Sequence, residues 1–488
     1  MINALPPRGV PAEQVLAELT RLRSVDLPTH GGTLFSYVYD SGEPDLDALA
    51  QSAHALSSHV NGLDPTAFPS LLATENALVA AAAELLGGPE ARPVGSVTSG
   101  GTESIILAVK AARDSRPEVS HPRMVVPGTA HAAFAKAASY LRVELDSIPV
   151  DPRTLMADPS AMAEAVTAET VLIVASAPSY AHGVIDPVSD IAAIAAAAGI
   201  RCHVDACFGG WILPYLRRLG VTVPDFDFTV EGVTSVSVDL HKYAYCPKGT
   251  SVLLHRDDRL RISQYFGYAD WPGYTMVNSG IASTRSGGPI AAAVATMRHI
   301  GDDGYLRLAE RTRRAVEQIA RAVTTVDGLR LMAPADYMVV CFTSDDPDLD
   351  LFVLADELAA AGWHTQPQLP FGDIDASIHL TVTAAVEPTA HRFAAALRDA
   401  VDAARRRGRP ELPSQLTTMV AAMQPDQLTP QLVGGLAAQL GLTDPDSIAG
   451  NMAAVNGLLA VASPASVSGS SSSSSACCNG RPHDRSVR

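Results

Sequence analysis

The sequence predicts an α/β protein: a large domain with a mostly parallel central sheet covered by helices, and a smaller C-terminal α+β domain. Two observations predict it. Between residues 123 and 200, apolar runs such as 171–176 alternate with Ala-rich helical stretches such as 191–198, and unbroken apolar strands between helices mark a parallel sheet buried on both faces. From about Gly328 the order changes. Strand-like runs at 329–333, 337–342 and 377–382 interleave with helices at 351–361 and 388–406. The boundaries that follow are an N-terminal segment 1–60, a large domain 61–325, a small domain 326–410, a weakly helical extension 411–462 and a tail 463–488.

Composition narrows the function. The chain has 488 residues, 47% of them hydrophobic and 18% charged, enough for a large core and too apolar for a disordered protein. A net charge of −16 makes a nucleic-acid backbone an unsuitable partner. No apolar run approaches the roughly 20 residues that a membrane span needs, and the N-terminus lacks the apolar stretch of a signal peptide. Six cysteines are scattered without metal-ligand spacing, so no metal is expected. They fit a reducing, cytoplasmic setting better than a disulfide scaffold.

Along the chain, the first helix places Val15, Leu16, Leu19 and Leu22 on one face. Residues 30–42 read as an extended segment in which Tyr37 and Tyr39 alternate and share a face. Asn61-Gly-Leu-Asp64-Pro is a loop by its punctuation, and a helix follows over about 70–86. Residues 290–300 and 305–323 read as two further helices. The six-serine run at 470–475 cannot bury a core and is expected to be disordered.

Three turns carry chemistry. A short strand runs into Ser99-Gly100-Gly101-Thr102, where a helix begins. The N–H groups of a helix start, with glycines that let a ligand approach the backbone, make an anion cradle; the simple alternative is an N-cap with Thr102 capping. A strand ends at His203-Val204-Asp205. A carboxylate at the end of a core strand is costly unless it meets a positive group, such as a pyridinium nitrogen. Two β-rich runs then flank His241-Lys242, and a lysine between apolar strands is usually neutralised, paired or covalently used. Read alone, that turn is a surface hairpin that contains a lysine. His131 starts a helix just past a strand's C-terminal end, where ligands collect in open α/β sheets.

Together these turns supply what pyridoxal 5'-phosphate needs: an anion cradle, a partner for its ring nitrogen and an amine for its aldehyde.

The same residues lie in blocks that resemble the sphingosine-1-phosphate lyases, fold-type-I enzymes of the group II decarboxylase superfamily. Thr98-Ser-Gly-Gly-Thr-Glu-Ser, Ala130-His-Ala-Ala-Phe-Ala-Lys-Ala, Ser179-Tyr-Ala-His-Gly-Val-Ile-Asp-Pro, His203-Val-Asp-Ala-Cys-Phe-Gly-Gly, Val238-Asp-Leu-His-Lys-Tyr-Ala-Tyr-Cys-Pro-Lys-Gly and Ile281-Ala-Ser-Thr-Arg-Ser-Gly-Gly appear in family order, and the resemblance spans about 31–382. It implies that His131 stacks on the cofactor ring, that Lys242 bonds its aldehyde, that Asp205 pairs with its ring nitrogen, and that Gly101, Thr102 and His241 bind its phosphate. It also implies that Thr284 reaches over from a second subunit of an obligate homodimer. Tyr39, Asn61, Tyr180 and Lys248 would line the substrate side. The family reaction is retro-aldol cleavage of a phosphorylated long-chain base to an aldehyde and phosphoethanolamine, and Tyr180 or Lys248 would serve as its base if its pKa is lowered.

Two positions depart from the family pattern. Asp64 replaces a histidine and would repel a substrate phosphate, and Met276 falls where the family has a tyrosine, with Tyr274 two positions earlier. The alternative on the same cofactor is an amino-acid decarboxylase, but such relatives commonly carry Asn-Pro-His-Lys where this chain has Asp239-Leu-His-Lys. A binding protein without turnover is a third reading, and the intact Lys242 argues against it.

Overall fold

The computed structural model describes residues 5–88, 90–423 and 451–462 together with positions 432 and 435. The serine-rich tail lies outside the described residues.

Seven strands build the main sheet: β1 Val94–Thr98, β2 Arg123–Pro127, β3 Glu144–Ile148, β4 Thr170–Ser176, β5 Arg201–Asp205, β6 Ser235–Val238 and β7 Ser251–His255. Their spatial order is β1-β7-β6-β5-β4-β2-β3. The pairs from β6 through β3 are parallel, while β7 is antiparallel to both its neighbours. All seven residues of β4 are buried, as a strand covered on both faces requires. Helices such as Gly101–Asp114 and Val188–Ala198 supply the cover, and the largest core cluster joins Ile173, Ile191, Val204, Val236 and Leu254.

An exposed hairpin follows, β8 Phe266–Tyr268 with β9 Met276–Asn278. The long helix Gly287–Thr324 then crosses to the second domain. It is broken at Gly301, whose φ of 65° and ψ of 173° are not helical, so the two helices expected at 290–300 and 305–323 abut at one glycine. The second sheet is antiparallel and built from β10 Leu329–Leu331, β11 Val339–Ser344, β12 Gln366–Gln368 and β13 Ser377–Thr381, in the spatial order β10-β11-β13-β12. The helices Leu351–Ala360 and Ala390–Arg407 pack on it around Phe342, Leu354, Phe393 and Leu397. The three-residue strand β12 has no counterpart in the sequence reading.

The segment at 30–42 differs from expectation. Tyr37 has a positive φ of 62°, which reverses the chain and abolishes the alternation. Its side chain is exposed and donates a hydrogen bond to Gln366 Oε1 of β12. Tyr39 turns inward to pack against Tyr243 and Phe208. The two tyrosines therefore do not share a face.

Candidate active site

The C-terminal ends of the parallel strands converge, which is where an open α/β sheet leaves a crevice for ligands. β1 delivers Gly100 to Thr102, β2 delivers His131, β4 delivers Tyr180, and β5 ends on Asp205. The turn after β6 carries Asp239, His241 and Lys242. A cavity of about 340 Å³ lies among them, lined by Gly101, Thr102, His131, Asp205, His241 and Lys242, with Tyr180 on its wall.

The cradle is built locally. Glu103 reaches back so that its Oε2 accepts the Ser99 N–H and the Ser99 hydroxyl, each at 2.7 Å. This fixes the entry of the helix Gly101–Asp114 and leaves its first-turn N–H groups facing the cavity end without helical acceptors. Gly101 has no substitute here. A Cβ at that position would come within 2.7 Å of Cys207 Sγ and 2.9 Å of both carboxylate oxygens of Asp239.

Lys242 Nζ lies 3.0 Å from Asp239 Oδ2 and 5.6 Å from the centroid of the Phe208 ring. Burial is the largest single influence and would discharge this amine, but the groups around it, Asp239 foremost with Tyr39, Cys207 and Asp205 adding to it, together outweigh burial and hold it above the usual lysine range. Burial alone would raise Asp239. Lys242, His241 and the Ser251 hydroxyl reverse that and hold it below the usual carboxylate range. His241 is pushed down, chiefly by burial against the pull of Asp239, and its Nδ1 sits 3.0 Å from Thr250 O, so the neutral ring donates there. Asp205 Oδ1 accepts the Cys207 N–H at 3.1 Å and the Ser237 hydroxyl at 3.4 Å. His131 Nδ1 accepts the Ala133 N–H at 3.1 Å, while its ring remains exposed on the cavity side.

A second cavity of about 440 Å³ shares His241 with the first and contains Tyr39 and Lys248. Lys248 Nζ stands 5.0 Å over the Tyr39 ring. Burial first, and then the charge of Lys242, lower its pKa to about 8. Tyr180 is shifted the other way, upward by burial, and its ring stacks on His379 of the small domain at 4.5 Å. Of the two residues considered as a base, Lys248 alone has the lowered pKa that the role requires.

Asn61 and Thr284 line neither cavity in their own chain. They are held close to each other instead: Asn61 bridges to Ser286, and the Gly62 N–H donates to Arg285 O at 2.9 Å. Asp64 is engaged locally, accepting both the N–H and the hydroxyl of Thr66. Sequence reasoning did not single out Asp239, Cys207 or Ser251. For Asp239 a signal was present, a carboxylate at the end of an apolar strand three residues before a buried lysine, which is the argument applied to Asp205.

These residues fit pyridoxal phosphate. The cradle offers N–H groups to a phosphate at a position only glycine can occupy, a buried amine faces the same cavity, and Asp205, a carboxylate without a salt bridge among the described residues, closes it. Fold and site define a pyridoxal-phosphate-dependent enzyme. The chain belongs to the pyridoxal-dependent decarboxylase family, whose conserved-domain model matches residues 29–344. Within that family it is similar to sphingosine-1-phosphate lyases. It is 37% identical to that of Dictyostelium discoideum over 399 residues, 81% of this chain and 74% of that one. The solved structure of the Burkholderia pseudomallei sphingosine-1-phosphate lyase matches with a TM-score of 0.76 and 35% identity, covering 83% of this chain and 93% of that one. A Lactobacillus brevis glutamate decarboxylase shares the fold at 20% identity and a TM-score of 0.73, over 84% of this chain and 96% of its own. Residues 414–467 match a second model, the C-terminal putative HTH domain of pyridoxal-dependent enzymes.

Proposed function

We propose that this chain is a carbon–carbon lyase that cleaves a phosphorylated long-chain β-hydroxy amine, in the retro-aldol sense, to an aldehyde and phosphoethanolamine. The observation that carries the reading is the presence of two lysines of opposite character beside His241. Lys242 is held charged by Asp239, while Lys248 is brought to about 8. Retro-aldol cleavage needs a base for the β-hydroxyl, and decarboxylation does not.

Pyridoxal phosphate, when bound, supplies an electron sink for the bond that breaks. Lys242 would bond its aldehyde until the substrate amine displaces it, Gly101, Thr102 and His241 would hold its phosphate, Asp205 would keep its ring nitrogen charged, and His131 would cover its ring. Lys248 Nζ takes the proton of the substrate β-hydroxyl. Lys242 Nζ, beside Asp239, carries the proton that the amine product acquires at carbon. Tyr39 keeps its hydroxyl proton, since burial raises its pKa well beyond neutrality, so together with Tyr180 it offers donors to substrate oxygens. Asn61 completes the substrate side.

The active unit is a homodimer in which Thr284 serves the second subunit's site. Two features support this reading. The helix Ala12–Arg23 has no buried residue, and Phe266, Tyr268, Trp271, Tyr274 and Val277 lie exposed around the β8–β9 hairpin; apolar surface of this kind calls for a partner. We place the enzyme in the cytoplasm, in keeping with four free buried cysteines among the described residues and with the finding that no described helix is long and apolar enough to cross a membrane. Nucleic acid is not a partner of the C-terminal segment, because residues 414–467 contain no lysine, arginine or histidine and three aspartates.

The test is to give the cofactor-loaded protein a phosphorylated long-chain base and, separately, a panel of amino acids, and to assay aldehyde and carbon dioxide. Aldehyde from the base is expected. Carbon dioxide from an amino acid without aldehyde would make the chain a decarboxylase.

A further inference from the structure

Besides Asp205 the cavity is lined by two more carboxylates, Glu103 and Asp239, and of these Asp239 is the buried one. Asp205 already serves as the acidic partner for a ring nitrogen, yet Asp239 is equally buried, with a side chain 3% exposed, and its Oδ2 stands 3.0 Å from Lys242 Nζ. The carboxylate is not free to follow the lysine. Its Oδ1 accepts the Ser251 hydroxyl of β7 at 2.5 Å, its backbone N–H donates to Cys207 O at 3.3 Å, and its carbonyl accepts the Lys242 N–H at 3.2 Å. His241 Nε2 lies 3.6 Å from Oδ2. An anion fixed by two elements, with one ammonium in direct contact, sets where that ammonium rests.

We propose that Asp239 is the positioning residue of Lys242: whenever the lysine amine is not bonded to the cofactor, the fixed carboxylate holds it as an ammonium against this wall of the cavity. The role rests on the reading of Lys242 as the cofactor-binding lysine. The groups that face the pair are His241 on the same turn, Ser251 on β7, Asp205 at the end of β5 and Cys207 just beyond it, Tyr39 from the N-terminal segment and Lys248 from the next cavity. Asp205 and Asp239 both favour charge on Lys242, and Asp239, the one in contact, contributes more. In the reaction the held ammonium is a proton store next to the substrate carbon. The proton it gives up stays on the product carbon, the uncharged amine is then free to re-form its bond as the product amine leaves, Lys248 passes the hydroxyl proton to solvent, and Lys242 is charged again when the next substrate amine, arriving as an ammonium, displaces it.

The pairing is tested first without cofactor, by reductive methylation of the cofactor-free protein and mass spectrometry of the peptide that carries Lys242. Only the uncharged amine reacts, so Asp239→Asn is expected to methylate about tenfold faster or more, tenfold being the effect of one pKa unit. Ser251→Ala, which keeps the charge and loosens it, is expected to change the rate in the same direction by less, and it serves if Asp239→Asn does not fold. An unchanged rate in both variants overturns the proposal.

The cofactor-loaded protein gives the second readout. The carboxylate favours a proton on the Lys242 nitrogen, so the pH midpoint of the bound cofactor's visible band is expected to fall by about one unit in Asp239→Asn, with kcat reduced and KM nearly unchanged. A midpoint that stays put, or a loss confined to KM, overturns the proposal. If Lys242→Ala keeps the visible band, the reading of Lys242 fails, while the methylation rate still decides the pairing.

Discussion

Lys248 Nζ stands 5.0 Å over the ring of Tyr39, at the edge of a cavity that also contains His241. The ring face favours the cation. Burial and the positive charge of Lys242 oppose it and win, bringing the amine to about 8. A general base must be unprotonated, so kcat/KM is expected to rise with pH through about 8 and then level. Lys248→Met should abolish that limb and lower kcat/KM by roughly 10² to 10⁴, the span typical of acid–base catalysis. Lys248→Arg, charged throughout, should be no better. A pH–rate profile that is flat through this range in the parent enzyme would remove Lys248 from the reaction.

Asp205 is expected to show a different dependence, because the role proposed for it is electrostatic. It ends β5 with hydrogen bonds from Cys207 N–H and Ser237 hydroxyl, and among the described residues no cationic side chain forms a salt bridge with it. Asp205→Asn keeps the size and removes the charge. Loss of a buried charge partner costs about 3–5 kcal/mol, so the variant is expected to release cofactor on dialysis and to lose most of its turnover. Equilibrium dialysis followed by the visible absorbance measures this directly. Retention and turnover equal to the parent would mean that Asp205 does not pair with the ring nitrogen.

How far the sequence reached depends on where the information sits. The inner parallel strands were legible because burial on both faces leaves an unbroken apolar run, as in β4, and the strand-end turns were legible because glycines mark the backbone there; the edge strand β3, polar and partly exposed, was not read. The helix over 305–323 was legible from its period, and so was its separation from 290–300, since Gly301 carries the break. Tyr37 was not. Its reversed φ goes with a hydrogen bond to Gln366, on a three-residue strand 329 positions away, and nothing in the local pattern encodes it. Asp239 was missed for the opposite reason. Its signal was local, a carboxylate ending an apolar strand, but it was read only as a mark against the decarboxylase branch and was given no role at the site. Asn61 and Thr284 were named only by resemblance, and their own chain does not bring them to the cavity.

Gly183 shapes the turn that presents Tyr180. Its N–H donates to Ser179 O at 3.0 Å, the Ser179 N–H donates to Val184 O at 2.8 Å, and φ is +75° with an added Cβ placed 2.6 Å from Val339 Cβ of the small domain. Gly183→Ala therefore meets both backbone strain and a steric clash. Gly199→Ala is the control: its φ is +65° with nothing within 4 Å, so only the strain applies, about 1 kcal/mol. Thermal unfolding should place Gly183→Ala clearly below Gly199→Ala, and KM should rise in Gly183→Ala alone as the Tyr180 turn is displaced. Equal unfolding temperatures for the two variants would show that the turn moves freely and that the small domain does not hold Tyr180.

The helix Ala12–Arg23 carries Val15, Leu16, Leu19 and Leu22 on one stripe, and all four are exposed. Four apolar residues at helical spacing with nothing over them are explained if a second copy covers them. Leu16→Glu combined with Leu19→Glu is expected to shift sedimentation toward the monomer, whereas Glu13→Gln on the same helix should not. The shared site makes a sharper demand. Lys242 and Thr284 would belong to one site through different chains, so Lys242→Ala and Thr284→Val proteins, each expected to be impaired alone, should regain activity when unfolded together and refolded as a mixture. The hybrid contains one site with an intact Lys242 from one chain and an intact Thr284 from the other. Failure of the mixture to recover, with hybrid dimers demonstrated by mass, would confine each site to a single chain.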